Sequence, residues 1–244
     1  MTARQPRIYT SQSLVSVNSV ELTGPASHYL ARVLRLSKGA PIILFNGDGR
    51  DYSGEICDIQ RQSVLVRLID NQVVGTESVL NITLVQAISR GERMDYSLQK
   101  ATELGVVCIQ PVLSSRVGVR LKEGRMAKRL AHWQGVVISA CEQSGRAVIP
   151  EVKKPLSMAQ WLAVVDESPR LVLDPSADNK LSSISLTGNS VSILVGPEGG
   201  LSAAEIEEVR AKSVKAVSLG PRVLRTETAG PAAIAVLQAI AGDL

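Results

Sequence analysis

Apolar positions along this 244-residue chain fall into two rhythms, a short one up to about residue 72 and a longer one after it. In the first part, residues 41–45 (P-I-I-L-F) form an apolar run closed by the turn cluster Asn46-Gly47-Asp48-Gly49, which predicts a strand and its exit. Residues 52–59 alternate loosely, and 63–69 are rich in β-branched side chains, so two more strands are expected. Residues 26–36 set Leu30, Val33 and Leu34 on one side at helical spacing, with Arg32 and Arg35 elsewhere. The pattern predicts a small β-rich domain over 1–72, with 71–78 around Gly75 as the linker.

Beyond the linker, strands alternate with helices. Apolar runs at 80–87, 106–111, 170–173, 190–195 and 216–219 read as strands. Between them, 92–104 reads as a helix stopped by Gly105, where a left-handed residue is needed. Residues 125–143 form a long helix, and Ser202 with Glu205 three positions later is a capping box for another. The last helix, 230–241, is almost wholly apolar and must be buried against the sheet or a second subunit. The expected class is α/β with a largely parallel sheet over 73–244, joined to the small β-rich domain.

Composition narrows the function. Hydrophobic residues make up 45% of the chain, too many for a disordered protein. No apolar stretch nears the roughly 18 residues of a membrane-spanning helix. The first ten residues carry Arg4, Pro6 and Arg7 without an apolar block, which predicts no secretory signal and a cytoplasmic protein. Cys57, Cys108 and Cys141 are scattered and His28 and His132 stand alone, so neither a disulfide framework nor a metal centre is expected. Aromatic residues are only 3%, against base-stacking surfaces. Net charge is +4, yet 90–154 holds 12 basic and 6 acidic residues while 155–244 holds 7 and 10. That imbalance fits either a phosphate-rich partner or a solvated helix face.

The chain lacks G-x-G-x-x-G, the Walker sequence and G-x-S-x-G. Two strand-to-helix segments remain. V-G-P-E-G-G-L-S (195–202) lets main chain approach a ligand closely through Gly196, Gly199 and Gly200, although an ordinary glycine-rich turn reads the same way. Glu198 fits either work on a substrate or complementing the following helix. L-G-P-R-V-L-R-T-E-T-A-G (219–230) is long for such a connection and mixes Arg222, Arg225 and Glu227 with Thr226 and Thr228. Its bland reading has Thr228 as a helix cap and the arginines in solvent. Since these loops leave consecutive strands, they are expected side by side, walling a small-molecule pocket. Arg90, Arg116, Gln143 and Arg146 sit in short polar clusters suited to phosphate, and His28 beside Tyr29 fits a base stack or a core position.

Q-K-A-T-E-L-G-V (99–106), E-Q-S-G-R (142–146) and the two loop segments, in this order and spacing, resemble the bacterial 16S ribosomal RNA uridine-N3 methyltransferases of the SPOUT superfamily. R-I-Y (7–9) and H-Y-L-A-R-V-L-R (28–35) resemble the start of that family's PUA-like domain. The resemblance implies a SPOUT domain with a deep trefoil knot, a homodimer, and S-adenosylmethionine as cofactor. It implies cofactor contacts from Leu173, Gly196, Pro197, Glu198, Gly199, Gly200, Leu219, Gly220, Leu224, Arg225, Thr226, Glu227, Thr228 and Ala229. Arg225 and Glu198 are the candidate catalytic pair, for anion stabilisation and proton handling. Arg7, His28, Arg32, Arg35, Arg90, Arg116, Gln143 and Arg146 are the candidate contacts to 16S ribosomal RNA in the small subunit. Tyr29 and Ser115 depart from the family's pattern, on what is expected to be the RNA face. The alternatives are an assembly factor that binds ribosomal RNA without catalysis, and a methyltransferase acting on another RNA such as tRNA.

Overall fold

A computed structural model describes residues 5–116, 123–165 and 167–244. Arg4, Arg120 and Lys122, part of the basic content counted above, lie outside these. The chain divides into two compact units, Met1–Glu77 with Cys141–Ile149, and Ser78–Ala140 with Pro150–Leu244.

In the first unit, β1 (Arg7–Tyr9), β2 (Ser19–Thr23), β3 (Pro41–Phe45), β4 (Arg50–Ile59) and β5 (Ser63–Val73) form one sheet in the order β1-β3-β4-β5-β2. Ile42, Leu44, Ile56, Val64 and Val66 alternate inward with Leu14 and Leu30, as a half-buried sheet requires. The expected linker is shorter than 71–78, because β5 runs through Asn71 to Val73, opposite Tyr52 to Arg50. The polar run reads as a turn, yet the Arg50 guanidinium donates to Asn71 Oδ1 at 2.7 Å and holds it in the strand pair. A single cut after residue 72 also misses Cys141–Ile149. This segment joins the sheet through Arg7, whose guanidinium donates to the Cys141 carbonyl (2.8 Å) and to Asp51 (2.6 Å).

The helix expected over 26–36 is α1 (Gly24–His28) followed by one wide turn, Tyr29–Val33, closed by a Leu34 N–H to Tyr29 carbonyl bond. The extra residue in that turn rotates Val33 off the core side, leaving it 57% exposed while Leu30 stays buried.

The second unit is a parallel sheet of β6 (Asn81–Ala87), β7 (Cys108–Leu113), β8 (Glu151–Val152), β10 (Arg170–Leu173), β11 (Ser190–Val195) and β12 (Lys215–Val217) in the order β12-β10-β11-β6-β7-β8, with β9 (Leu156–Ser157) on β7. Both faces are covered, so its strands are continuous apolar runs. Val85, Ala87, Val172 and Leu194 pack with Met158, Trp161 and Leu162 of α4 (Met158–Ala163) and Val209 of α5 (Ala203–Ala211). On the opposite face lie α2 (Glu92–Glu103) and α6 (Thr226–Ala241), while α3 (Glu123–Ser144) is the long helix between β7 and β8.

Gly105 takes φ +87°, and a Cβ there would meet Gln238 Nε2 at 2.7 Å. Glycine is thus demanded both by the left-handed helix stop and by the close approach of α6. That side chain also donates to the Leu104 carbonyl at 2.9 Å and pins α6 to the end of α2. α6 begins at Thr226, four residues before the expected start. Gly230 and Pro231 lie inside it; Pro231 is the sixth residue of the helix, so the Glu227 carbonyl lacks its usual i+4 donor. Ala233, Ile234 and Leu237 are buried, but Ile240 is 37% exposed; one side of the helix, not its whole surface, meets the sheet.

Candidate functional site

At the carboxyl edge of the second sheet, the ends of β10, β11 and β12 and the first turn of α6 enclose a cavity of about 440 Å³. One wall is Leu173, Asp174 and Pro175 after β10. A second is Val195 to Glu198, Gly200 and Leu201 after β11, backed by Ile206 of α5. The third is Val217, Leu219, Gly220, Arg222 to Glu227 and Ala229, and Arg93 of α2 completes the lining. The two loops do not leave neighbouring strands, contrary to what their order in the chain predicts. β11 and β12 are consecutive in sequence, but β10 lies between them in the sheet. The loops meet across the short end of β10, which makes Leu173-Asp174-Pro175 the middle wall.

Of the residues expected at the cofactor, Gly199 and Thr228 do not line the cavity. Thr228 is exposed on the outside of α6, and it does not cap the helix, whose N-cap is Arg225. Gly199 turns outward, and a Cβ there would lie 3.6 Å from Arg116 Cδ. Its carbonyl accepts from the Arg116 guanidinium. Gly196, Gly200 and Gly220 are constrained glycines, Gly200 by a φ of +67°. A Cβ on Gly196 would meet Leu201 at 3.3 Å, and Gly220 takes φ +105°.

Three ties hold the loops. Thr226 Oγ1 donates to the Gly196 carbonyl at 2.7 Å and accepts from Gln86 Nε2 at 3.0 Å. Glu198 Oε1 accepts from the Arg90 N–H at 2.9 Å and from the Arg93 guanidinium at 3.2 Å. Arg93 also lies 3.8 Å from Glu227, so it bridges the second and third walls. Partial burial pushes the Glu198 pKa up, but the Arg90 N–H, its own N–H and Arg93 outweigh that and leave it below the ordinary 4.5. Asp174 is likewise low: burial is overridden by Ser176 and by Arg210. Glu205, the capping-box partner of Ser202, accepts from the Ser115 N–H at 2.7 Å and from the Ser202 N–H at 2.8 Å. Ser115 and Arg116 therefore brace the β11 loop and the start of α5, whereas the sequence reading assigned both to an RNA face.

The basic candidates separate by burial. Arg7 is 8% exposed and its guanidinium is engaged by Asp51, two carbonyls and the face of Phe45 at 4.5 Å. Arg146 is 3% exposed and paired with Glu77, with 3.1 Å from Nε to Oε1. Both are interior residues with no guanidinium to offer phosphate, which corrects their expected role. His28, Arg32, Arg35 and Gln143 are exposed on the first unit, and Arg90 and Arg116 on the second. The core position left open for His28 is therefore not taken.

Arg93, Asp174 and Gln86 escaped sequence reasoning as site residues. Asp174 directly follows the strand expected over 170–173, and Arg93 falls within the helix expected over 92–104. Nothing local marks Gln86, a polar residue in an apolar strand, except that it breaks the run. Among the described residues, no group of His, Cys, Asp and Glu is arranged to hold a metal ion, and no helix is long and apolar enough to cross a membrane.

Known proteins share this arrangement. Residues 76–238 match the RNA methyltransferase domain family, and 22–69 match the RNA methyltransferase PUA domain. Ribosomal RNA small subunit methyltransferase E of Buchnera aphidicola (from Schizaphis graminum) is 37% identical over 245 residues, covering 100% of both chains. A Legionella pneumophila methyltransferase solved with the cofactor SAM bound is 39% identical, with a TM-score of 0.95 over 99% of this chain and 100% of that one. Ribosomal RNA small subunit methyltransferase E of Neisseria gonorrhoeae, bound to S-adenosyl methionine, is also 39% identical, with a TM-score of 0.91 over 99% and 100%. With a domain match over most of the chain and relatives at this identity along all of it, the chain belongs to the ribosomal RNA small subunit methyltransferase E family.

Proposed function

We propose that this protein uses S-adenosylmethionine to methylate N3 of a uridine in the 16S RNA of the small ribosomal subunit. The observation that carries the reading is the cavity formed by three strand-end loops. Its 440 Å³ falls within the roughly 300–1,000 Å³ of small-molecule sites. The cofactor fits this lining. Leu173, Leu219 and Leu224, with the close main chain at Gly196 and Gly220, would take the adenosine. The carboxylates of Asp174 and Glu227 suit the cofactor's two positive groups, the sulfonium and the ammonium. When bound, the cofactor supplies an activated methyl group.

Uracil N3 carries a proton and becomes nucleophilic only as that proton leaves. Glu198 and Asp174 are poor acceptors for it, because both are held ionised with lowered pKa values. Catalysis then rests on in-line positioning and on a cation beside the developing uracil anion. Arg225 fits that role: it lines the cavity, its residue is exposed, and no carboxylate pairs with it among the described residues. Glu198 acts as a loop tie through Arg90 and Arg93 and not as the base. Because N3 lies on the pairing edge, the target uridine must be unpaired or flipped out.

Exposed His28, Arg32 and Arg35 on the first unit, and Arg90 on the second, are the proposed RNA contacts. The trefoil knot is part of the same reading, supported by the parallel order β12-β10-β11, in which the last strand pairs with one formed before β11. So is a homodimer, supported by half-exposed Ala235, Val236 and Ile240 on α6, and action in the cytoplasm. Nucleoside analysis of ribosomal RNA from a deletion strain beside its complemented control tests the activity. N3-methyluridine should vanish from 16S RNA without the protein and return with it; its persistence would sink the proposal.

A further inference from the structure

Gln86 is the penultimate residue of β6 and is 0% exposed. On its strand, Leu84 and Gln86 face α6, for a Cβ on Gly230 would lie 3.8 Å from one and 3.6 Å from the other. A polar side chain in this apolar row needs a reason. Its Nε2 donates to the Ala87 carbonyl and to Thr226 Oγ1, both at 3.0 Å. A carbonyl can only accept, so the nitrogen end of the amide must face this pair. The Thr226 hydroxyl therefore receives a bond from Gln86, and its one proton is directed to the Gly196 carbonyl at 2.7 Å. Thr226 and Gly196 both line the cavity, from opposite loops, while Gln86 itself does not reach it.

The other end of the amide is costly. Gln86 Oε1 is buried and has no hydrogen-bond partner among the described residues. An unpaired buried acceptor opposes stability, and an apolar side chain of the same shape would remove that cost. Packing alone does not explain a glutamine here.

We propose that Gln86 is a positioning residue for the methyl-donor site: by fixing the direction of the Thr226 hydroxyl it locks the β11 loop to the first residue of α6 and sets the spacing of two cavity walls. This rests on the cavity being the S-adenosylmethionine site. Without the amide donor, the hydroxyl is free to turn away from Gly196, and the cofactor must then order the walls as it binds.

The test is calorimetric titration of the full chain with S-adenosylmethionine for wild type, Gln86→Leu, Thr226→Val, Thr226→Ser and the Gln86→Leu/Thr226→Val double variant. Thermal melts and amide hydrogen exchange of the ligand-free proteins run beside it. Gln86→Leu and Thr226→Val should each raise Kd about tenfold. Thr226→Ser should stay within about twofold of wild type, since it keeps the hydroxyl, and the double variant should be no worse than the worse single one. Gln86→Leu should melt within about 3 °C of wild type while amides of 196–201 exchange faster. Wild-type affinity in Gln86→Leu, additive losses in the double variant, a Thr226→Ser as weak as Thr226→Val, or weakening that simply follows a fall in melting temperature would each overturn the inference. A wild-type chain that gives no heat with S-adenosylmethionine would remove the methyl-donor reading and this inference with it.

Discussion

Glu198 illustrates how a residue's chemistry depends on its neighbours more than on its type. In the sequence it stands among glycines and invites a proton-transfer role. In the fold its carboxylate is taken by the Arg90 N–H and the Arg93 guanidinium. Loss of a general base costs about 10²–10⁴ in rate. Glu198→Gln, which keeps the acceptor oxygen but not the charge, is expected to lower kcat less than tenfold and to leave the pH–rate profile unchanged; steady-state methylation across pH checks this. Because its pKa is lowered, the tie to Arg93 holds above the ordinary carboxylate value of 4.5 and gives way only as pH falls through the lower folded value. Glycine content had a similar double edge. Gly196 was legible as a site residue and lines the cavity, but Gly199, identical in sequence terms, turns its carbonyl to Arg116.

Among the elements, α5 was the most legible, because a capping box is a local device: Ser202 accepts from the Glu205 N–H at 3.2 Å and the Glu205 carboxylate reaches back to the Ser202 N–H. Its second use, accepting from the Ser115 N–H ninety residues away, was not legible. Glu205→Ala should therefore cost more than a cap alone, about 2 kcal/mol, read in chemical denaturation. Burial raises the Glu205 pKa, yet the Ser202 and Ser115 bonds lower it further, to below 4.5. Its stabilisation is complete above that value and is lost as pH falls through the folded pKa. Acid melting curves should accordingly be steeper for wild type than for Glu205→Gln. The wide turn at Tyr29–Val33 and the early start of α6 were missed for another reason. Both depend on how much backbone the surrounding packing demands, which side-chain periodicity does not report.

For the whole molecule, the positive charge splits into interior and surface parts. Arg7 and Arg146 look like phosphate ligands in sequence, yet both are buried and joined to Asp51 and Glu77. Arg7→Ala would strand a largely buried carboxylate and is expected to cost about 3–5 kcal/mol of stability, measured by denaturation. Arg32 and Arg35 are exposed, so Arg32→Ala and Arg35→Ala should leave melting unchanged and each reduce the salt slope of RNA affinity by about 1. A filter-binding titration over a range of salt distinguishes the two kinds of arginine.

Sequence alone determined the class of each half, five of the seven strands of the second sheet and the two glycine- and threonine-bearing loops that wall its cavity. These follow from apolar periodicity, glycine and cap placement, all of which act within a few residues. Tertiary structure decided that β10 lies between β11 and β12, that Cys141–Ile149 counts with the first unit, and which arginines are interior. It also decided that Gln86, 140 residues from Thr226 in the chain, is hydrogen-bonded to it. Strand order and buried polar pairing are set by free-energy balances between distant segments, and no local pattern carries that information.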